Sequence, residues 1–292
     1  MISICTPTYN REHTIPQVFN SLLSQTEKEF EWIVIDDGSI DGTKELIEKY
    51  KYMADFNIQY RYQTNQGKHM ALNLGQEIAN FDLFLCLDSD DWLVKDAVHT
   101  ILMDYDKYIK NNISLAGMIY LDKFKNGEIL GDSLPNLDEI NWLDLIYEHK
   151  SKGDKCYVFK TDILRKYPFP NFSNNKHMPP TYQFYLISEN FNMFTINKAL
   201  IVVEYLDDGL SRNIKRKYFS DADNYAFYRK TIHDIIPLKK YRIKNILLYN
   251  ISYLYAKDKK SLGFKYKKNQ LLSYLLFPLS LLIIGYLNLI RR

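Results

Sequence analysis

Leu83-Phe84-Leu85-Cys86-Leu87-Asp88-Ser89-Asp90-Asp91 sets five apolar residues directly before three carboxylates in four positions. An unbroken apolar run of that length fits a strand covered on both faces, the kind found in parallel sheets packed between helices. The acids leave the sheet at the strand's carboxyl end. Upstream the chain repeats one alternation: residues 1–6, 32–35 and 58–62 read as strands, and 14–24, 43–50 and 69–79 as helices. A further helix is expected over 95–107. This βαβ series predicts an α/β fold around a mainly parallel sheet, because crossovers between parallel strands are right-handed and few other arrangements fit. Ligands of such sheets bind at the carboxyl edge, so the polar residues at the strand ends form the candidate site.

Those ends are Thr6-Pro7-Thr8-Tyr9-Asn10-Arg11, Asp36-Asp37-Gly38-Ser39-Ile40-Asp41-Gly42-Thr43, Asn65-Gln66-Gly67-Lys68 and Asp88-Ser89-Asp90-Asp91. The first offers a proline-containing loop that can pack against a flat base. The second offers adjacent carboxylates, and a carboxylate can accept a hydrogen bond from an imide N–H such as that of uracil. The fourth crowds like charges, which a hard divalent cation relieves; Mg²⁺ takes one or two carboxylates together with substrate phosphates. Asp37, Ser39, Asp41, Gly42 and Glu48 also fall at calcium-loop positions. That reading is rejected, because the β-rich residues 31–35 stand where an EF-hand needs its entering helix.

The wider composition agrees with a folded intracellular chain. Of 292 residues 46% are apolar and only 11 are Gly and 9 Pro, which excludes disorder, collagen and long flexible linkers. Cys5, Cys86 and Cys156 are odd in number and far apart, so neither a disulfide framework nor a zinc pair is indicated. The first residues are already strand-like, and no secretory signal is expected. Charge is polarised: residues 1–211 carry 20 basic and 31 acidic side chains, residues 212–292 carry 18 and 4. Such a basic segment suits a polyanion, either nucleic acid or an anionic membrane. Residues 241–255 read as an amphipathic helix, a lysine cluster follows over 257–268, and residues 271–290 contain no charge. Membrane attachment explains the charge and the apolar run together, and nucleic acid does not. Because Pro278 and Gly285 interrupt the run, an in-plane or re-entrant anchor is expected in preference to a full span.

In this order, Thr6-Pro7-Thr8-Tyr9-Asn10, Asp36-Asp37-Gly38-Ser39 with Asp41-Gly42-Thr43, Asn65-Gln66-Gly67-Lys68 with Ala71, Asn73 and Gly75, and Asp88-Ser89-Asp90-Asp91 resemble family 2 glycosyltransferases of the GT-A fold. The likeness is greatest to bacterial members that build capsules, exopolysaccharides and teichuronic-type polymers. It is close over residues 1–120 and extends more faintly to 213 through Lys152-Gly153-Asp154-Lys155 and Tyr205-Leu206-Asp207-Asp208-Gly209-Leu210-Ser211. The resemblance implies a Rossmann-like GT-A domain over residues 1–210, followed by a basic helical tail over 211–292. It also implies transfer of a sugar from a UDP-linked donor to a hydroxyl, with inversion. By position, Pro7 and Tyr9 would flank the uracil, Asp37 would receive its N3 proton with Asp36 beside it, and Lys68 would approach the base or the diphosphate. Asp88 and Ser89 belong to the donor site, Asp88 facing the ribose or the metal, and Asp90 is the implied direct ligand of Mn²⁺ or Mg²⁺.

An inverting transfer also needs a general base. Where family members carry an acid near a helix start, the matching stretch Asn175-Lys176-His177-Met178-Pro179-Pro180-Thr181-Tyr182 has Pro180. Asp154, His177, Glu189 and Asp207 are the candidates for the base. The expected acceptor is a growing polysaccharide or its polyprenyl-linked precursor at the inner face of a bacterial plasma membrane. Two other readings stay open: a non-catalytic nucleotide-sugar binder in polymer assembly, and a nucleotidyltransferase, which would want a glycine-rich phosphate loop that Thr6–Arg11 lacks.

Overall fold

The computed structural model describes residues 1–172, 175–204, 219–262 and 270–290. β1 (Ile2–Thr8) and β2 (Phe30–Asp36) are buried at every position, and β3 (Asn57–Tyr62) and β4 (Leu83–Cys86) join them in parallel. The crossovers are α1 (Ile15–Leu23), α2 (Thr43–Met53) and α3 (Lys68–Ile78). In α1 a proline occupies the first turn, where its missing N–H costs nothing, and Ile15, Val18, Phe19 and Leu22 bury one stripe. β1 runs two residues past the expected 1–6. Its pairing with β4 ends at Cys5, whereas Pro7 and Thr8 continue opposite Ile35 and Asp36 of β2.

The chain continues through β5 (Trp92–Leu93), α4 (Ala97–Asp104), β6 (Leu115–Phe124), β7 (Glu139–Ile140) and α5 (Trp142–Tyr147). β8 (Lys155–Lys160), α6 (Thr161–Lys166), α7 (Thr181–Ser188) and β9 (Asn192–Val203) follow. Among the described residues the strands lie in the order β3-β2-β1-β4-β8-β6-β9-β5, with β7 beside β9. β8 is antiparallel to β4 and β6, and β6 is parallel to β9. The carboxyl ends of β1, β2, β4, β6 and β9 and the amino end of β8 therefore share one edge.

One face of the sheet packs Phe19, Trp32 and Tyr50, the Phe19 and Tyr50 rings stacking at 3.8 Å. The other face packs Trp142, Tyr182 and Tyr185, and it also takes Tyr228, Ile232 and Ile236 from α8 (Ala222–Ile232) and the turn after it. α8, which lies beyond the boundary expected at 211, thus shares this core with the sheet. Beyond it come α9 (Lys239–Tyr255), α10 (Lys259–Leu262) and α11 (Gln270–Ile290). α11 docks on α9 through Leu272 and Leu276 and through a polar pair, Asn250 Nδ2 donating to the Ser273 carbonyl and Ser273 Oγ to Asn250 Oδ1. Its outer side exposes Leu271, Leu275 and Leu282 at 73%, 67% and 71%. Among the described residues no helix is long and apolar enough to cross a membrane.

Candidate active site

The loops after β1 and β2 are stitched together by their own polar residues. Asn10, at φ 52°, donates its N–H to Ser39 Oγ and accepts the Ile40 N–H on Oδ1. Arg11 N–H donates to Thr43 Oγ1, Glu12 N–H to Asp41 Oδ2, and Gly42 N–H to Glu12 Oε2. Asp41 Oδ1 accepts both the N–H and the hydroxyl of Thr43, opening α2. Pro7 is buried and Tyr9 is 48% exposed, so a proline floor and a free ring stand at the edge.

The paired carboxylates of β2 have different tasks. Asp36 is 1% exposed and accepts the Ser39 N–H on Oδ1 and the Tyr60 hydroxyl on Oδ2, so it shapes the edge and is closed to a ligand. Asp37 accepts from Gln63 Nε2 and Gln66 N–H on Oδ1 and from Gly67 N–H on Oδ2, each at 2.7 Å. A carboxylate offers about four lone-pair sites; these three donors leave one on Asp37 among the described residues. Gly67 has φ +95°, and a Cβ there would lie 1.8 Å from the Lys176 carbonyl oxygen. Only glycine lets the 175–180 segment lie on the start of α3.

Lys68 follows, its ammonium donating to both Asp88 oxygens at 2.5 and 2.7 Å. Burial alone favours the neutral amine, but the Asp88 carboxylate outweighs it and holds Lys68 above the ordinary lysine range. Asp88, Asp90 and Asp91 each bring a carboxylate oxygen within 4.8 Å of the others. Burial, then Asp88, raises Asp90; burial, then Asp88, Asp90 and Asp122, pushes Asp91 up to about 8. Three crowded oxygen donors are the set that a hard divalent cation relieves, so these residues fit Mn²⁺ or Mg²⁺. Ser89 is buried between them.

The base candidates are scattered. Asp154 is exposed at the amino end of β8, on the site's edge. His177 belongs to the segment over Gly67; its N–H donates to Asp221 Oδ1, its carbonyl accepts from Asn224, and its ring lies 5.7 Å from Tyr225. Glu189 follows α7 and precedes the amino end of β9, at the opposite edge of the sheet. Asp207 lies outside the described residues, and Pro180 is the exposed N-cap of α7. Three participants went unassigned in the sequence reading. Asp91 was visible as the third acid of its cluster, Asp122 as the one acid inside an apolar strand, and Asp221, which ties α8 to residues 176 and 177, had no local signal. A separate cavity of about 310 Å³ between α5, α8 and α9, lined by Tyr147, Arg229, Tyr241 and Lys244 among others, is away from these carboxylates.

A mainly parallel sheet whose carboxyl edge carries an exposed tyrosine, a buried acid pair and a carboxylate triplet has its polar groups where α/β folds bind their ligands. The model of the family described as glycosyl transferase family 2 matches residues 3–162, and the chain belongs to that family. A teichuronic acid biosynthesis glycosyltransferase of Bacillus subtilis, described as putative, is 24% identical over 255 residues, covering 73% of this chain and 98% of its own. The solved structure of Staphylococcus aureus TarS 1-349 with UDP-GlcNAc has a TM-score of 0.64 at 22% identity, over 92% of this chain and 77% of that one. A Pyrobaculum calidifontis mannosyltransferase solved with GDP-Man and Mn²⁺ has a TM-score of 0.55 at 15% identity, over 97% and 80%. These likenesses show the GT-A fold. Two further curated bacterial relatives are much longer, and the chain spans 31% and 26% of their length.

Proposed function

We propose that the chain transfers a sugar from a UDP-linked donor to a hydroxyl of a growing surface polysaccharide or its polyprenyl-linked precursor, with inversion and with Mn²⁺ or Mg²⁺. The observation that carries this is the carboxylate triplet Asp88, Asp90 and Asp91 at the same sheet edge as Asp37 and Tyr9. Support comes from the solved relatives, one holding UDP-GlcNAc and another GDP-Man with Mn²⁺. Pro7 and Tyr9 bracket the base, and Asp37 accepts the imide proton. Lys68 supplies a cation beside Asp88 for the diphosphate. A divalent cation held by the triplet supplies Lewis-acid stabilisation of the departing diphosphate. Asp154, the candidate acid exposed on this edge, takes the proton of the acceptor hydroxyl. The absence of an acid at Pro180, the α7 N-cap, is the observation favouring the second reading, a nucleotide-sugar binder without turnover.

Calorimetry tests the donor site. UDP should bind with Mn²⁺ present and weaken at least about tenfold without it. Asp91 holds a proton below about 8 and must release it to coordinate, so Mn²⁺ affinity should rise with pH and level off above 8. Equal UDP binding with and without the metal at every pH would contradict the site.

The chain is also proposed to sit at the inner face of the bacterial membrane. α11 keeps its small and polar contacts for α9 and turns Leu271, Tyr274, Leu275 and Leu282 outward, next to a segment rich in lysine. An in-plane helix with basic neighbours binds anionic lipid through both terms. Leu275→Asp with Leu282→Asp should abolish flotation with phosphatidylglycerol vesicles; undiminished flotation would remove α11 from the interface.

A further inference from the structure

Asp122 stands at the carboxyl end of β6 in Met118-Ile119-Tyr120-Leu121-Asp122, and it is 4% exposed. Its Oδ1 is buried and accepts no hydrogen bond among the described residues. The nearest candidate for a counter-ion is turned away: Lys155 Nζ donates to the carbonyls of Lys152, Gly153 and Asp154 at 2.8, 3.2 and 3.4 Å. Burial, with Asp154 adding to it and Lys155 opposing, pushes Asp122 up to about 7. A buried carboxylate without donors destabilises a fold, and an apolar residue of similar size would be tolerated better. Its presence calls for a ligand that brings donors.

Position says which ligand. Asp122 is not one of the three acids whose oxygens cluster within 4.8 Å, yet its charge is felt by Asp91. β8 separates β6 from β4, so the end of β6 lies roughly 10 Å along the edge from the end of β4. A nucleotide sugar with its diphosphate on the Asp88 to Asp91 cluster carries its pyranose directly beyond, and pyranose hydroxyls are O–H donors. An acceptor arrives from solvent, whereas the donor sugar is anchored deep enough to meet a side chain this buried.

We propose that Asp122 accepts hydrogen bonds from hydroxyls of the donor's pyranose and thereby selects the sugar by hydroxyl configuration. This rests on the donor reading above. The test is calorimetry on the full chain in detergent with Mn²⁺, comparing UDP with glucose- and galactose-configured UDP-sugars, for the wild type and Asp122→Asn. The variant should bind UDP and Mn²⁺ as the wild type does, lose about tenfold in affinity for the preferred UDP-sugar, and discriminate less between the 4-epimers. An unchanged ratio of UDP-sugar to UDP affinity overturns the inference, and so does joint loss of UDP and Mn²⁺, which marks a metal-site role. Should Asp122→Asn fail to fold, monodeoxy UDP-sugars on the wild type decide: one hydroxyl must cost about tenfold when removed, and a flat series overturns the inference. No UDP binding by the wild type would sink the donor reading itself.

Discussion

Asp90→Ala should lower sugar transfer by about a thousandfold or more while leaving the fold intact. The size follows from the crowding at the edge. Of the three carboxylates within 4.8 Å, Asp88 is already held by Lys68 through both oxygens, so removing Asp90 leaves Asp91, itself reached by the Glu204 N–H, as the remaining acid for a cation. Loss of function through unfolding is not expected, and the sign of the electrostatics shows why. Burial and the neighbouring Asp88 raise Asp90, and a carboxylate raised in the folded state costs stability progressively as pH climbs from the ordinary carboxylate value to the folded one, with the full cost standing above that. Removing it should leave the melting temperature unchanged or higher near neutral pH. Thermal unfolding beside a transfer assay separates the two effects. Transfer within tenfold of wild type would remove Asp90 from the metal site; a lower melting temperature would point to a structural role.

Gly67→Ala should be the most damaging single methyl in the chain's donor half. With φ +95° and ψ 158° the residue occupies backbone space that other L-residues enter at a cost, and the new Cβ would fall 1.8 Å from the Lys176 carbonyl oxygen. Conformational strain and overpacking together amount to about 2–5 kcal/mol. Relief requires the 175–180 segment to lift or the start of α3 to shift. Either movement disturbs the Gly67 N–H that Asp37 accepts and the Lys68 ammonium that holds Asp88. The melting temperature should fall by about 3–8 °C, and the remaining folded protein should bind UDP more weakly. Hydrogen exchange at residues 175–180 would report the lifted segment. A melt and a UDP isotherm both equal to wild type would show that the close approach is unimportant.

The donor half was legible because its signals are local. Apolar runs such as Leu83–Cys86 and Phe30–Asp36 are strands on their own composition, and their polar ends can only fall at one edge of a parallel sheet. The roles of Asp36 and Asp37 were less legible. Two adjacent acids look alike in sequence, and only the reach of Tyr60 and of residues 63–67 separates a structural carboxylate from one with a lone pair to spare. α8 falls in the segment expected as a basic tail because the charge balance changes sign after residue 211, and Asp221, Asp223 and Asn224 carry no local sign of burial. Each is buried by partners far along the chain: Lys176 and His177 for Asp221, Lys257 and Asp258 for Asp223, and the His177 carbonyl for Asn224. Such non-local satisfaction of backbone groups leaves no periodic trace. Glu189 failed as a site candidate for a topological reason, since the direction of β9 sends it to the far edge.

Turnover decides between a transferase and a binder built on the same fold. The purified full chain in detergent, given Mn²⁺ and a panel of UDP-, GDP- and TDP-sugars, should release nucleotide from a UDP-sugar and should stop doing so on chelation of the metal. Metal-dependent UDP binding with no nucleotide release from any donor would contradict transfer and leave Pro180, where an acid is missing, as the reason.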